Sequence, residues 1–228
     1  MPLIDVIIPA YNEESSIASV VGDIPKDLVR DIIVCNNNSK DATAEHARNA
    51  GAIVVDEPRP GYGSACLKGM EYIAARDVKP DIIVFLDGDY SDHPEEMPKL
   101  VEPIIKDQMD MVIGSRAIGD MEDGAMMPQQ IFGNWLATTL IRFFYKYEFT
   151  DLGPFRAIRY DRLMDIQMQD RDFGWTVEMQ VKAAKMKLKC TEVAVKYRKR
   201  IGVSKVSGTI KGSILAGHKI LWTIFKLL

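Results

Sequence analysis

Short apolar runs rich in Ile and Val recur through the first half of the chain, separated by polar or amphipathic stretches. Such runs between turn residues predict buried strands, whereas apolar residues spaced three and four apart predict helices. The predicted strands cover residues 3–8, 31–35, 52–55, 82–87 and 109–114, with Pro9 expected to end the first. The predicted helices cover residues 13–22, 41–49, 93–106 and the stretch from the loop 58–63 through Arg76.

Strands and helices that alternate in this way predict right-handed crossovers and a mostly parallel sheet flanked by helices. The second half of the chain departs from this rhythm. The elements predicted there are helices at 130–147, 176–186 and 207–228 and short strands at 155–158 and 191–196. Because no repeat or low-complexity linker divides the sequence, we expect one α/β domain over 1–206 and a C-terminal helix over 207–228.

The distribution of charge is informative about function mainly in the C-terminal stretch. The 228 residues include 29 basic and 32 acidic side chains, a net charge of −3 that gives no overall attraction to nucleic acid. From Lys196 to Leu228 there are several Lys and Arg residues and no Asp or Glu. An apolar helix dotted with Lys suits a membrane interface, and the alternatives are packing on the domain or forming a dimer.

Three cysteines, Cys35, Cys66 and Cys190, are odd in number and widely spaced. They predict neither a disulfide framework nor a zinc site, so a reducing compartment is expected. The N-terminus enters a strand at once without a signal-peptide pattern, and no apolar stretch is long enough to predict a transmembrane helix. We therefore expect a cytoplasmic protein.

The strongest candidate site lies where the apolar run 82–86 ends in Asp87, Gly88 and Asp89. The carboxyl ends of parallel strands are where open α/β sheets bind ligands. Two carboxylates across a glycine can hold a divalent cation, and a cation bound largely through substrate phosphates suits a nucleotide diphosphate. The alternative is an acidic turn, because Asp and Gly are ordinary turn residues.

Two polar segments follow the first and second predicted strands at the same edge of the sheet. In residues 9–13, the Tyr11 ring can pack on a nucleobase and Glu13 can accept a hydrogen bond from a base or ribose. In residues 36–39, the amide of Asn37 can both donate and accept, which suits the edge of a base. Each segment also suits a plain turn or a helix N-cap.

A glycine-containing loop opens the third predicted helix. Gly61 and Gly63 allow the backbone to approach a phosphate or ribose at the helix N-terminus, and Lys68 follows about a turn later. The spacing matches neither the dinucleotide fingerprint nor the P-loop, so a structural loop is an equal alternative.

Cationic residues form a further group of candidates. Arg116 follows the fifth predicted strand and can reach a diphosphate, with a surface salt bridge as the alternative. Arg200, Ser204 and Lys205 combine two fixed cations with a hydroxyl, which suits a phosphate group. His93, after the acidic loop, is either a metal ligand or a residue at a helix start.

These motifs, in this order over residues 3–206, resemble family 2 glycosyltransferases, and within them the polyprenyl-phosphate sugar synthases of the dolichol-phosphate mannose or glucose type. The segments that carry the resemblance are 9–13, 36–39, 61–65, 87–89 with 93–95, 114–116 and 200–205. The resemblance implies a GT-A fold with a Rossmann-like, mostly parallel sheet.

The resemblance also implies roles for single residues. Those expected at the base and ribose are Pro9, Tyr11, Glu13 and Asn37. Those expected at the sugar nucleotide and its Mg²⁺ or Mn²⁺ are Asp87 and Asp89, with Asp89 the closer ligand. Those expected at the donor diphosphate or an acceptor phosphate are Arg116, Arg200, Ser204 and Lys205.

The expected reaction moves a hexose, with inversion, from UDP-glucose or GDP-mannose to a polyprenyl phosphate. A phosphate acceptor is already ionised, whereas a sugar hydroxyl would need a general base, for which Asp151 is the candidate. We expect a peripheral protein at the cytoplasmic face of a membrane, either monomeric or a homo-oligomer.

Three alternatives stay open at this point. A soluble family 2 enzyme acting on a sugar hydroxyl of a polysaccharide or glycolipid would use a base at Asp151 or Glu178. A nucleotidyltransferase also has paired carboxylates. Enzymes of that class share a Gly-rich loop directly after the first strand, whereas this chain has residues 9–13 at that position. A nucleotide-sugar sensor would bind without turnover, which the intact Asp87 and Asp89 disfavour.

Overall fold

One sheet runs through the part of the chain that the computed structural model describes, residues 2–202 and 210–228. Its strands are β1 (Ile4–Ala10), β2 (Asp31–Asn36), β3 (Ile53–Asp56), β4 (Ile82–Phe85), β5 (Met111–Ser115), β6 (Arg156–Arg159) and β7 (Cys190–Ala194). The helices are α1 (Ile17–Asp23), α2 (Thr43–Asn49), α3 (Tyr62–Ala74), α4 (Met97–Asp107), α5 (Pro128–Tyr145), α6 (Tyr160–Ile166), α7 (Trp175–Lys185) and α8 (Ile210–Lys226). A 3₁₀ turn at Pro94–Glu96 precedes α4.

The strand order is β3-β2-β1-β4-β6-β5-β7. Strands β1 to β4 are parallel to one another and β7 is parallel to β5, so the predicted mostly parallel sheet is confirmed. Strand β6 is the exception, because it lies antiparallel between β4 and β5. The crossover through α4 leaves room for one strand, and β6 fills it. The carboxyl ends of β1, β2, β4 and β5 therefore meet at the same edge of the sheet.

Helices cover both faces of the sheet. The core on one face includes side chains from α3, α5, α6, α7 and α8, and the core on the other face includes side chains from α1, α2 and α4. Strand β1 serves both, since Ile7 belongs to the first core while Val6 and Ile8 belong to the second. Burial on both faces explains why the parallel strands are continuously apolar.

The prediction that Pro9 ends the first strand is wrong. Pro9 and Ala10 still lie opposite residues of β2, and a proline is tolerated so close to a strand end. The first helix begins at Ile17, later than predicted, and follows a turn in which the N–H groups of Ser16 and Ile17 donate to the Glu13 carbonyl at 3.1 and 2.9 Å. The predicted helix 93–106 is divided into the 3₁₀ turn and α4, and α6 was not predicted.

Helix α8 packs one side against α5 and α7. Ile224 is fully buried, and the Tyr145 hydroxyl donates a hydrogen bond of 2.5 Å to its carbonyl oxygen. Lys219 Nζ lies 2.9 Å from a carboxylate oxygen of Asp170. The other side of the helix carries exposed apolar side chains, including Ile214. Among the helices described, none is long and apolar enough to cross a membrane.

This packing predicts a difference between two isoleucines of the same helix. Ile224→Ala removes a fully buried side chain and should lower the free energy of unfolding by about 2–4 kcal/mol. Ile214→Ala, at a position that is 65% exposed, should change it by less than about 0.5 kcal/mol. Urea unfolding followed by circular dichroism measures both values. Equally small effects would mean that α8 does not pack on the domain in solution.

Candidate active site

One pocket of about 770 Å³ lies at the carboxyl edge of the sheet. The sequence-predicted residues that line it are Pro9, Tyr11, Glu13, Asn37, Gly61, Asp87, Asp89, Arg116 and Arg200. The predicted residues that do not reach its wall are Gly63, Lys68 and Asp151. Ser204 and Lys205 lie outside the described residues.

Three carboxylates crowd the turn after β4. Asp89 and Asp92 are buried, at 3% and 1% exposure. Burial, and then the charge of Asp89, raise the pKa of Asp87 to about 6. Burial, followed by the charges of Asp87 and Asp89, also raises the pKa of Asp92. Ionising all three is therefore unfavourable unless cations lie close by.

Asp92 was not among the predicted site residues. The only sequence signal was a third acid shortly after Asp89, and an acid in a polar turn carries no mark of burial. In the structure its Oδ1 atom is buried and has no hydrogen-bond partner among the described residues. His93, the other candidate here, pairs with Glu95 at 2.8 Å and precedes the 3₁₀ turn, as expected of a helix-start residue.

The donor atoms of this turn suit a hard divalent cation. Asp89 Oδ1 accepts hydrogen bonds from the Ser91 N–H and hydroxyl at 2.9 and 2.6 Å, and Asp87 Oδ1 accepts one from the Tyr62 hydroxyl at 3.0 Å. In the described part of the chain, no three acidic, His or Cys side chains converge as a ready-made metal cage. A cation held by these carboxylates would need further ligands from a bound substrate or water.

Residues 197–201, here called the cationic strap, lie across this acidic turn. The Arg198 guanidinium stacks 3.4 Å from the centre of the Tyr90 ring, and its Nε donates to the Tyr90 carbonyl at 2.7 Å. The Ile201 N–H donates to the Asp89 carbonyl at 2.9 Å. These contacts fix the backbone of the strap over the turn.

The Arg200 side chain is the counter-ion of the acidic turn. Its Nη2 forms an ion pair with Asp89 Oδ2, and its buried Nε has no partner among the described residues. Burial acts to lower the pKa of Arg200, but the charges of Asp89 and Asp87 outweigh it and raise the pKa. The sequence predicts that Arg200 binds a phosphate group. In the structure Arg200 is paired with the carboxylate of Asp89.

Arg116 and Asp151 form a buried pair, which overturns the candidate base. Nη2 and Nε of Arg116 donate to the two carboxylate oxygens at 2.6 and 2.8 Å, and the Arg116 N–H adds a bond of 2.7 Å. Asp151 is 1% exposed and does not line the pocket. A carboxylate so fully engaged positions Arg116 and is a poor proton acceptor. Arg116, fixed in this way and 5.0 Å from the Tyr197 ring centre, lines the pocket.

Asn37 supports a loop of the pocket and has little capacity left for a base. Its amide nitrogen donates to the carbonyl oxygens of Glu57 and Arg59 at 3.0 and 2.7 Å. Its amide oxygen accepts from the Gly61 N–H at 2.9 Å. Both amide hydrogens are therefore used by the protein, and the expected contact of Asn37 with the base stays a prediction, with the amide oxygen as the group able to make it.

The glycines of that loop allow a close backbone contact. A Cβ at Gly63 would lie 2.1 Å from the Asp170 carbonyl oxygen, and a Cβ at Gly61 would lie equally close to the next carbonyl. The glycines thus let α3 begin against the loop that precedes α7. Lys68 points elsewhere, because it pairs with Glu71 on α3 at 2.9 Å.

The turn after β1 presents Tyr11 to the pocket. Asn12 adopts a left-handed conformation with φ of 53°, and its N–H donates to the Ser39 hydroxyl at 3.0 Å. The Glu13 N–H donates to the Thr43 hydroxyl at 2.8 Å. The backbone is thereby fixed while the Tyr11 ring stays 45% exposed and able to pack on a planar ligand.

The opposite wall of the pocket was not identified from the sequence. It comes from α5, from the residues before and within α7, and from α8, and includes Gln129, Gly133, Asp172, Phe173, Ala216 and Ile220. These residue types are common in packed helices, so only the tertiary arrangement reveals them.

Comparison with known proteins agrees with this arrangement. The chain is 36% identical over 215 residues to an uncharacterized glycosyltransferase of Mycobacterium tuberculosis, covering 93% of this chain and 94% of the relative. It is 29% identical over 221 residues to the undecaprenyl-phosphate mannosyltransferase of Micrococcus luteus, covering 90% and 88%.

The fold agrees as well. The crystal structure of glucosyl-3-phosphoglycerate synthase from Mycobacterium tuberculosis superimposes with a TM-score of 0.78 at 22% identity, covering 99% of this chain and 80% of that one. The family model described as glycosyl transferase family 2 matches residues 5–166, which is most of the chain. The chain therefore belongs to glycosyl transferase family 2.

Proposed function

We propose that this chain is an inverting, metal-dependent hexosyltransferase that uses UDP-glucose or GDP-mannose as donor and a polyprenyl phosphate as acceptor. The observation that carries the proposal is the single pocket in which the buried acidic turn faces the cationic strap and Arg116. Carboxylates suit the metal of a nucleotide diphosphate, and arginines suit phosphate groups.

Two relatives support this choice. The Micrococcus luteus relative is named an undecaprenyl-phosphate mannosyltransferase. One crystal structure of the glucosyl-3-phosphoglycerate synthase holds Mn²⁺ and uridine diphosphate. Both proteins therefore handle a phosphorylated ligand, which agrees with the charge pattern of this pocket.

The donor would lie between the β1 turn and the glycine loop. The exposed Tyr11 ring packs on the base, and Glu13 accepts a hydrogen bond from the base or ribose. The loop that Asn37 supports brings the Gly61 backbone to the pocket wall. This arrangement directs the diphosphate toward the acidic turn.

The acidic turn would hold the metal through oxygens of Asp87 and Asp89, both of which line the pocket. When bound, Mg²⁺ or Mn²⁺ would offset the negative charge that develops on the leaving nucleoside diphosphate. A metal that took the Asp89 oxygen now paired with Arg200 would compete with that ion pair. A guanidinium displaced from Asp89 would be available to the phosphates, alongside Arg116.

A phosphate acceptor fits the engagement of Asp151 and Glu178 in contacts within the protein. The acceptor oxygen is already ionised and can attack the anomeric carbon in line, which inverts its configuration. The two carboxylates that the sequence offered as a base for a hydroxyl acceptor are both occupied. Asp151 binds Arg116, and Glu178 accepts from the N–H of Asp170 at 2.7 Å and pairs with Lys182 at 2.7 Å.

A sugar hydroxyl acceptor remains the second candidate because of one residue. Asp172 lines the wall opposite the acidic turn and is exposed, so its carboxylate can reach an acceptor. A soluble enzyme acting on a glycan would use it as general base.

The proposed acceptor also assigns a location. A polyprenyl phosphate lies in a bilayer, whereas a sugar nucleotide is dissolved in water, so the enzyme works at a membrane surface. We place it at the cytoplasmic face, peripherally bound.

Transfer of labelled hexose from a panel of sugar nucleotides to a short polyprenyl phosphate, with Mn²⁺ or Mg²⁺, tests the function by extraction into organic solvent. Asp89→Asn should lower this transfer about 100-fold or more, because a charged metal ligand becomes neutral. Circular dichroism checks that the variant folds. Unchanged transfer would remove Asp89 from the metal site, and label absent from the organic phase would move the search to glycan acceptors.

Asp172→Asn decides between the two acceptors. For a phosphate acceptor, turnover should change less than about tenfold, since no proton has to be removed. For a hydroxyl acceptor, the same variant should lose about 100-fold or more and show a changed pH profile. Initial rates with polyprenyl phosphate and with a simple glycoside measure the difference.

Arg200→Gln should have two opposite effects. Turnover should fall about 100-fold because a cation at the phosphates is lost, whereas binding of Mn²⁺ alone should strengthen about tenfold because Asp89 loses its internal counter-ion. Lys199→Gln removes one positive charge from the neighbouring position, which pairs with Glu122 at the surface, and serves as the control. Electron paramagnetic resonance of free Mn²⁺ measures the binding. Weaker Mn²⁺ binding in Arg200→Gln than in the control would contradict the assigned counter-ion role.

A further inference from the structure

Exposed apolar side chains are concentrated on two neighbouring helices, α5 and α8. Six of them define what we call the aromatic face, namely Ile131, Phe132, Trp135 and Phe143 on α5 and Trp222 and Phe225 on α8. Each is between 48% and 65% exposed. Single exposed apolar residues are ordinary, but a contiguous group of this kind marks an interaction surface.

Ring contacts join the two helices at one end of the face, and a second ring pair lies nearer the start of α5. Phe143 packs edge-on against Phe144 with 4.9 Å between ring centres, and Phe144 packs against Phe225 at 5.5 Å. On α5, the rings of Phe132 and Trp135 lie 5.8 Å apart. The inner sides of both helices are buried in the domain, so the face is held rigidly and points outward.

The charges around the aromatic face indicate what kind of surface it binds. No Asp or Glu lies between Asp123 and Glu148, and none follows Glu192. Arg142, Lys146 and Lys226 are exposed on or beside the two helices. A second copy of the same face would bring like charges together, whereas anionic lipid headgroups would complement them.

We propose that the aromatic face docks the protein on an anionic lipid bilayer, with Trp and Phe side chains at the headgroup level and the basic side chains on the lipid phosphates. Apolar and aromatic residues beside Lys and Arg are what an interfacial helix requires, and no described helix is long and apolar enough to span the bilayer instead.

The same two helices also form part of the pocket wall. Gly133 of α5 and Ala216, Gly217 and Ile220 of α8 line the pocket, and a Cβ at Gly133 or Gly217 would meet no atom within 4 Å. A pocket bounded by the docking helices can receive a phosphate whose hydrocarbon chain stays in the bilayer. This last step rests on the proposed function, whereas the docking surface itself does not.

Vesicle binding tests the docking surface directly. The full chain is mixed with vesicles of phosphatidylglycerol and phosphatidylcholine, or of phosphatidylcholine alone, and binding is followed by sedimentation and Trp emission. Of the three tryptophans, Trp175 is buried at 1% exposure, so a blue shift on binding reports Trp135 and Trp222. Wild-type protein should bind the anionic vesicles more tightly and show the shift.

Trp135→Ser/Trp222→Ser should weaken vesicle binding about tenfold or more, because two large apolar anchors are lost. The control, Val78→Ser/Ile105→Ser, changes two side chains that are 60% and 46% exposed outside α5 and α8, and should bind like wild type. Equal binding by both double variants would overturn the proposal. So would a wild-type dimer, detected by light scattering, that the tryptophan variant dissociates.

A soluble acceptor separates this proposal from the proposed function. Wild type and Trp135→Ser/Trp222→Ser should glycosylate farnesyl phosphate in solution at equal rates and differ only on acceptor embedded in vesicles. Vesicle binding without transfer to any phosphate acceptor would reject the proposed function and leave the docking surface standing. Transfer without any vesicle binding would reject the docking surface alone.

Discussion

Mutual repulsion among three carboxylates at the end of a buried strand is the constraint around which this site is built. Strand β4 lies inside the sheet between β1 and β6, and Asp89 and Asp92, which follow it, are buried. With Asp87 beside them, all three carboxylates can ionise together only where cations lie close by. The cationic strap supplies one in Arg200, and its backbone contacts hold that cation in place. Arg200 thus balances part of the negative charge of the acidic turn before any substrate or metal binds.

Polar side chains outside this turn mainly position other groups. Asp151 fixes Arg116, Asn37 fixes the glycine loop, and the fully buried Arg156 donates to the carbonyl oxygens of Leu152, Gly153 and Thr176. Arg156 is fully removed from water, and this burial lowers its pKa to about 10. Buried donors and acceptors must be paired, and here the pairing determines the shape of the pocket.

The sequence predicts those parts of the site that follow directly from where the predicted strands end. Asp87, Asp89 and Arg116 were expected together because they follow strands that end at one edge, and the structure brings them to one pocket. Asp151 was misjudged because its partner Arg116 lies 35 residues earlier in the sequence, so the local pattern does not reveal the ion pair. The reversed strand β6 and the α5–α8 wall depend on contacts between distant segments, which local patterns do not encode.

The loop before α7 connects the two walls of the pocket. Its Asp170 carbonyl oxygen lies where a side chain at Gly63 would have to go, and the carboxylate of the same residue holds Lys219 of α8. A larger residue at the start of α3 would therefore press on the residue that anchors the C-terminal helix. Substitutions at the start of α3 and in α8 should consequently be non-additive, although the two helices are far apart in the sequence. Variation in one wall is constrained by the other through a single shared aspartate.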